Sequence, residues 1–322
     1  MKKREIGQTG VEVSLIGIGA WQMGGGDSKD ANSVGHGWGG VDDAESVRLI
    51  HRAEELGINL IDTADIYGNG HSERVIGTAL KGRRSHWVIA TKGGLVKTEG
   101  THGQYFDGSA RHIREACEAS LKRLQTDRID FYQLHRIPAV ADQESTMAVL
   151  AALRKEGKIR FYGISTDQPM DIIHLQQYGP VDIVQLATDL FHNHHSALSY
   201  CHQQRIGTLI RSPLAWGATF GKYADGQPAF AADDMRSNDP AALAKLQEQH
   251  QKGLRYEFLW KNTGRKPVQA ALRAVLDKPG ITSVIPGTRC VSHLLDNAGA
   301  VDVAPLSQEE IARVWTLNQT SA

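Results

Sequence analysis

Apolar residues along the chain fall into short runs rich in Ile, Val and Leu, separated by longer stretches with helical spacing. That alternation is expected of repeated βα units around a parallel sheet. Eight runs predict strands: Ser14–Gly19, Asn59–Asp62, Trp87–Thr91, Ile129–Leu134, Ile159–Ile164, Ile183–Leu186, Gly207–Ile210 and Thr282–Ile285. The stretches between them predict helices at Asp43–Leu56, Ser72–Leu80, Ser109–Leu124, Thr146–Glu156, Met170–Gln177, Ser196–Gln204 and Pro267–Leu276. Boundary residues agree with this division. Asp42 or Asp43 is placed to cap the first helix, Leu56-Gly57 and Glu156-Gly157 read as stops, and Pro267 suits a first turn. Eight such units predict a (β/α)8 TIM barrel, with residues 1–322 forming a single domain.

Ahead of the first unit, Arg4-Glu5-Ile6-Gly7 and Val11-Glu12-Val13 flank Thr9-Gly10 and read as a β-hairpin placed to plug the bottom of the barrel. A doubly wound sheet is the structural competitor. Gly17-x-Gly19 lacks the rest of the dinucleotide fingerprint, since Gln22 stands where the third glycine belongs and no helical pattern follows at once. Two segments interrupt the repeat: the glycine-rich stretch Gly24–Gly40, expected to be a loop, and Ser212–Gly264 between the seventh and eighth strands. In a barrel both are long loops on the C-terminal face, where active sites are built, and each is a lid candidate.

Composition narrows the partners. Among 322 residues, 36 Lys and Arg balance 36 Asp and Glu, and 41% are hydrophobic. Zero net charge without blocks of like charge argues against nucleic acid or an anionic membrane surface as partner. No apolar stretch follows the basic residues of Met1–Gly7, and nowhere do about 18 apolar residues run together, so the chain is expected to be cytoplasmic. Cys117, Cys201 and Cys290 are far apart and form no CxxC pair, which predicts reduced thiols. The run His192-Asn193-His194-His195 offers imidazoles with no cysteine or matched carboxylate nearby, and reads as a pocket rim or solvated loop; no metal is expected. His102, Tyr105 and Phe106 follow the third strand, where they would shape a substrate mouth. No additional apolar stripe demands a second copy, so a monomer is the default.

The first polar residue at or after each strand's C-terminal end points at a barrel's site, because apolar interiors fill the barrel below. Those residues are Asp62, Lys92, His135, Ser165 with Thr166, Gln185, Arg211, and Thr288 with Arg289. Tyr67 lies five residues beyond Asp62, on the rim. A free tyrosine has a pKa near 10 and is a poor acid at neutral pH. A cationic Lys92 nearby would stabilise the phenolate and lower that pKa, with Asp62 holding the lysine charged. His135 would then fix the substrate oxygen by a hydrogen bond. Singly, each residue is also explained by structure: Asp62 as a loop cap, Lys92 as a barrel ion pair, His135 as a satisfied core histidine. Together, on consecutive strand ends, they point to acid–base chemistry.

These residues lie in four ordered motifs: Gly57-Ile58-Asn59-Leu60-Ile61-Asp62-Thr63-Ala64-Asp65-Ile66-Tyr67-Gly68, Ala90-Thr91-Lys92-Gly93, Asp130-Phe131-Tyr132-Gln133-Leu134-His135 and Tyr162-Gly163-Ile164-Ser165. With them the sequence resembles the aldo-keto reductases over essentially its whole length. The resemblance implies a metal-free barrel that uses NADPH, less often NADH, and a catalytic tetrad of Asp62, Tyr67, Lys92 and His135. It also implies that Ser165, Gln185 and Thr166 face the nicotinamide carboxamide, Thr166 standing where the family commonly has Asn. Arg211 takes the place of a nicotinamide-stacking aromatic, as in a branch rich in bacterial proteins, and its planar guanidinium stacks in the same way.

By the same resemblance, Gly19, Ala20 and Trp21 border the cofactor, and Trp21, Tyr67, His135 and Trp38 line the substrate pocket. Ser212, Pro213, Leu214, Gly217 and Lys222 resemble the loop under the pyrophosphate. Pro286, Gly287, Thr288 and Arg289, with His293, Asp296 and Asn297, resemble the adenosine 2′-phosphate site, which favours NADPH over NADH. A lysine used by many members is replaced here by Gly287. The implied reaction is hydride transfer between cofactor and an aldehyde, ketone or alcohol, with Tyr67 as general acid and base. Two rivals remain: a barrel lyase or aldolase forming a Schiff base on Lys92, and a non-catalytic regulatory subunit that senses the nucleotide.

Overall fold

Short apolar runs covered by helices on one side and packed into a barrel on the other become parallel strands, because both faces are buried. The computed structural model describes residues 1–25, 40–98, 103–192, 196–215, 217 and 240–319. A hairpin of β1 (Lys3–Glu5) and β2 (Glu12–Ser14) comes first, in antiparallel register with Arg4 opposite Val13. Then follow β3 (Ile18–Gly19), α1 (Asp43–Glu55), β4 (Leu60–Asp62), α2 (His71–Ala79) and β5 (Val88–Gly93). A second hairpin, β6 (Leu95–Lys97) with β7 (Gln104–Phe106), leads to α3 (Ala110–Leu124), β8 (Ile129–Leu134), α4 (Gln143–Lys155) and β9 (Ile159–Ser165). The chain continues through α5 (Pro169–Gln176), β10 (Ile183–Ala187), α6 (Ser196–Gln204) and β11 (Gly207–Arg211). It ends with α7 (Pro240–Leu254), α8 (Pro267–Leu276), β12 (Ser283–Val284), α9 (Val291–Ala298) and α10 (Gln308–Gln319).

Eight strands form one parallel sheet in the order β12-β11-β10-β9-β8-β5-β4-β3. Parallel bridges from Ile16 to Val284 and from Gly19 to Gly287 join its two edges, so the sheet closes into a (β/α)8 barrel. Closure leaves no unpaired edge along these strands. Local signals set the helix ends. Asp42 caps α1 by accepting from the Ala44 and Glu45 amides, Pro267 opens α8, and Gly57 and Gly157 take positive φ just after α1 and α4.

Inside the barrel Leu60, Val88, Ala90, Phe131, Ile183, Leu209 and Ile285 pack with Ile6, Val11 and Val13 from the hairpin, which therefore plugs the closed end. Phe131 stacks on Phe161 with ring centroids 5.4 Å apart. A second, larger apolar layer lies between strands and helices. Strand side chains alternate between these layers with period two. Leu60 is inside and Ile61 outside; Val88 and Ala90 are inside and Ile89 outside; Leu209 is inside and Ile210 outside. Continuing that parity carries Asp62, Lys92, Gln133, Gln185 and Arg211 to the inner face at the C-terminal mouth.

Three sequence expectations change. The run Ser14–Gly19 is not one strand: Ser14 ends β2, its hydroxyl donates to the Ile16 carbonyl, and only Ile18–Gly19 enter the barrel. The stretch Ser212–Gly264 is not all loop, since α7 lies within it, and α9, α10 and the β6–β7 hairpin add elements that strand periodicity did not mark. The His192 segment does have a matched carboxylate: Asp189 faces the His192 ring at 2.8 Å, while His194 and His195 lie outside the described residues. No described helix is long and apolar enough to cross a membrane.

The hairpin plug is energetically testable. Ile6→Ala is expected to destabilise by about 2–5 kcal/mol, the usual range for a fully buried Ile. The exposed Val140→Ala is expected to change stability by under about 0.5 kcal/mol. Urea unfolding measures both, and equal small effects would show that the hairpin does not share the barrel core.

Candidate functional site

Asp62 ends β4 and Lys92 lies near the end of β5, side by side on adjacent inner positions, 3% and 1% exposed. A buried ammonium is costly unless every proton finds a partner. Here Lys92 Nζ donates to Asp62 Oδ2 at 2.8 Å, to the Thr63 carbonyl at 2.7 Å and to Tyr67 Oη at 3.3 Å. The ammonium also lies 5.0 Å from the Tyr67 ring centroid. Asp62 Oδ1 accepts from Gln185 Nε2 at 2.7 Å and from Gln133 Nε2 at 3.4 Å. Tyr67 meets the His135 ring edge-on, with centroids 5.9 Å apart. All four tetrad candidates thus share one cluster at the barrel mouth.

Electrostatics correct one step of the sequence argument. Lys92 pulls the Tyr67 pKa down, but burial of the phenol pushes it up more strongly, and the Asp62 carboxylate adds to the rise; the net shift is upward. Burial of the phenol, with a smaller contribution from Asp62, outweighs the Lys92 charge, so no phenolate forms at neutral pH. Burial on its own would depress Lys92, yet Asp62 and then Tyr67 outweigh it and hold the ammonium above its ordinary pKa. His135 is driven well below the usual imidazole value by burial, then by Lys92, Arg136 and Arg211, so its ring is neutral. Its Nδ1 is buried with no hydrogen-bond partner.

The remaining candidates surround this cluster. Ser165 ends β9, and Thr166 follows it with its hydroxyl turned to Asp171 at 2.5 Å instead of toward the mouth. Arg211 ends β11 and donates to Asp167 Oδ2 at 2.5 Å. Gly19 pairs with Gly287 across the barrel seam, Ala20 accepts from the Ser72 hydroxyl through its carbonyl, and Trp21 opens a short 3-10 turn. A Cβ at Gly287 would meet the Gln22 side-chain amide, which would have to swing aside. Ser212 and Ala215 both take positive φ, and the Gly217 amide donates to Leu214 in the same turn, with Pro213 between. Lys222 and Trp38 lie outside the described residues, as does His102; Tyr105 is exposed on β7.

Pro286 accepts from the Gly19 amide, Thr288 donates to the Cys290 carbonyl, and Arg289 stands just before α9. The Cys290 side chain at the N-cap accepts no bond from a backbone amide in the first turn of α9. The amide groups of that turn beside an arginine are a suitable setting for a phosphate, because helix N-termini present unpaired N–H groups to anions. His293 follows within α9, where Asn297 is buried and Asp296 accepts from Lys266 Nζ at 2.5 Å. The orphan Nδ1 of His135 and the start of α9 beside Arg289 fit a ligand with a polar reactive end and a phosphate.

Sequence reasoning missed several contributors. Gln133 occupies the inner position two residues before His135, and parity alone identifies it. Asp65 is held by its amide to the Lys92 carbonyl at 3.0 Å, and its Oδ1 is buried without a partner. Burial, then the nearby Glu73 carboxylate, lifts its pKa to about 7. Glu73 itself is fully buried, bound by Arg123 Nε at 2.6 Å and Thr91 Oγ1 at 2.7 Å. Burial pushes the Cys117 and Cys201 thiols up to about 12, so both are inert. Among the described residues no cluster of His, Cys, Asp and Glu has the form of a metal site.

This barrel with its polar mouth is the architecture of a known class. The chain belongs to the aldo/keto reductase family, whose model matches residues 15–319, and it is an NAD(P)H-dependent oxidoreductase. The aldo-keto reductase YhdN of Bacillus subtilis is 34% identical over 296 residues, covering 90% of this chain and 85% of its own. The glycerol dehydrogenase AKR11B4 from Gluconobacter oxydans has a structure similar at a TM-score of 0.83, with 29% identity over 98% of this chain and 94% of that one. An aldo/keto reductase from Klebsiella pneumoniae, solved in complex with NADP and acetate, is similar at a TM-score of 0.72, with 25% identity over 97% of this chain and 94% of its own.

The sign of the Asp65 shift gives a stability test. Below the ordinary carboxyl pKa of about 3.9 the group is protonated in folded and unfolded chains alike. Between there and about 7 the folded state retains a proton that the unfolded chain has lost, so the stabilising contribution fades as pH rises through this window. Asp65→Asn, which never ionises, is expected to gain more melting temperature over the parent near pH 8 than near pH 4. A constant or opposite difference in thermal scans would remove the charge strain assigned to Asp65.

Proposed function

We propose that the protein is an NADPH-preferring oxidoreductase that interconverts a small aldehyde or ketone with its alcohol, with Tyr67 as the proton donor and acceptor. The observation that carries this reading is the Lys92 ammonium bound at once to the Asp62 carboxylate and the Tyr67 hydroxyl, with His135 against the Tyr67 ring. NADPH, when bound, supplies the hydride. Ser165, Gln185 and Arg211 would hold its nicotinamide, the turn containing Ser212, Pro213, Leu214 and Gly217 its pyrophosphate, and Thr288 with Arg289 its 2′-phosphate. NADH, lacking that phosphate, would bind more weakly at the same site.

Each tetrad residue then has a defined task. Tyr67 keeps its proton at neutral pH, because its pKa is raised, and gives it to the carbonyl oxygen as negative charge develops there. Lys92 is pulled toward that oxygen's charge through the same hydroxyl and balances the phenolate left behind. Asp62 keeps Lys92 charged and fixed. Neutral His135 fixes the direction of the substrate oxygen without competing for its proton. In the reverse direction Tyr67 must first be deprotonated, so alcohol oxidation gains as pH rises.

The Schiff-base reading is disfavoured by the same geometry, since that chemistry needs a neutral amine and Lys92 is held charged by a carboxylate 2.8 Å away. The name of the glycerol dehydrogenase relative supports small hydroxylated compounds as a first substrate panel. Tyr67→Phe is expected to lower kcat by roughly 10²–10⁴-fold, the range for loss of a positioned acid, with NADPH affinity nearly unchanged. Retained turnover in a stopped assay of carbonyl reduction would overturn the role. For the parent enzyme, reduction should hold level through neutral pH and fall only at strongly alkaline pH, while oxidation climbs with pH. A reduction rate that peaks and falls below neutrality would contradict the raised Tyr67 pKa. Arg289→Ala is expected to remove most of the preference for NADPH over NADH in fluorescence titrations, and an unchanged preference would displace the phosphate from this corner.

A further inference from the structure

Asp167 ties together the ends of three adjacent strands at the mouth. It follows β9, its Oδ1 accepts from the Ala187 amide at the end of β10 at 2.7 Å, and its Oδ2 accepts from Arg211 at the end of β11 at 2.5 Å. Both partners of this ion pair keep 38% of their side-chain surface exposed, so the pair adds little to stability. The turn holding Asp167 has two further bonds, from Thr166 Oγ1 to Asp171 and from the Gln168 amide to Thr166 Oγ1. What the carboxylate changes is the charge at the rim. Arg211 acts electrostatically on both Tyr67 and His135, and Asp167 is the carboxylate bonded to it.

We propose that Asp167 sets the balance between oxidised and reduced cofactor by neutralising Arg211 beside the nicotinamide. This rests on the nicotinamide placement proposed above. The oxidised ring carries a positive charge that the reduced ring lacks. A bare guanidinium against it would repel the oxidised form and leave the reduced form unaffected. With its carboxylate pinned by the Ala187 amide, the Arg211 plane is kept for stacking while its net charge is cancelled, so the oxidised product of carbonyl reduction and the oxidised substrate of alcohol oxidation are both tolerated. Asp167 acts through Arg211 and is a positioning and charge-setting residue, separate from the proton-handling group.

The test is the ratio of dissociation constants for NADP+ and NADPH, read separately by tryptophan-fluorescence titration without any substrate. Asp167→Asn keeps the shape and an acceptor for the Ala187 amide but removes the charge. It is expected to weaken NADP+ by roughly two- to fivefold more than NADPH, the scale of an exposed ion pair, and the difference should shrink in high salt. Arg211→Gln should move the ratio the other way, and the double variant should return it toward the parent value. Equal weakening of both nucleotides by Asp167→Asn, or weakening of neither, would reduce Asp167 to a loop tether and overturn the proposal while leaving the oxidoreductase reading intact. A parent protein that binds neither nucleotide would overturn both.

Discussion

The buried charge on Lys92 is the constraint on which the mouth of the barrel depends. An ammonium 1% exposed survives only if its three N–H groups are all used. They bind a side chain on β4, a carbonyl just after it and a hydroxyl on the following loop, so one residue on β5 fixes the path of Asp62 through Tyr67. Asp62 in turn accepts from Gln133 on β8 and Gln185 on β10. Removing one member of such a pair leaves the other buried and uncompensated, which is why the arrangement is all-or-none. The same condition that makes the ion pair tolerable holds the Tyr67 hydroxyl at the barrel mouth.

The barrel supplies that site with rigidity by separating two jobs along each strand. N-terminal inner positions are apolar and are sealed by the β1–β2 hairpin through Ile6, Val11 and Val13. C-terminal inner positions are polar and converge from strands distant in sequence. Tight interior packing means that small shifts at the closed end are resisted before they reach the mouth. Most of the connections after β3 and β11, including most of Gly24–Gly40 and residues 218–239, lie outside the described residues.

Charge around the mouth is arranged in neighbouring pairs. Asp62 answers Lys92, Asp167 answers Arg211, and Arg123 answers Glu73 behind the loop. Asp65 stands outside these pairs, a carboxyl whose burial beside Glu73 lifts its pKa to about 7. The first two pairings balance the Lys92 and Arg211 charges beside a neutral imidazole and a protonated phenol. With either cation unbalanced, the field at His135 and Tyr67 would be larger and their proton affinities lower.

The barrel, the N-terminal hairpin and the residues Asp62, Tyr67, Lys92 and His135 were legible in the sequence because each rests on local or periodic information. Short apolar runs at regular intervals define the strands, period-two alternation decides which side chains face inward, and the strand ends mark the polar ring. Even Gln133 follows from that parity. What tertiary structure alone decided are quantities that depend on distance between strands. The rise in the Tyr67 pKa depends on how completely Asp62 balances Lys92 and how deeply the phenol is buried. The pairing of Arg211 with Asp167, and of His192 with Asp189, depends on loop turns that no spacing reveals. Sequence carries which groups are present and which face they take; only the fold sets the separations and the dielectric through which they act.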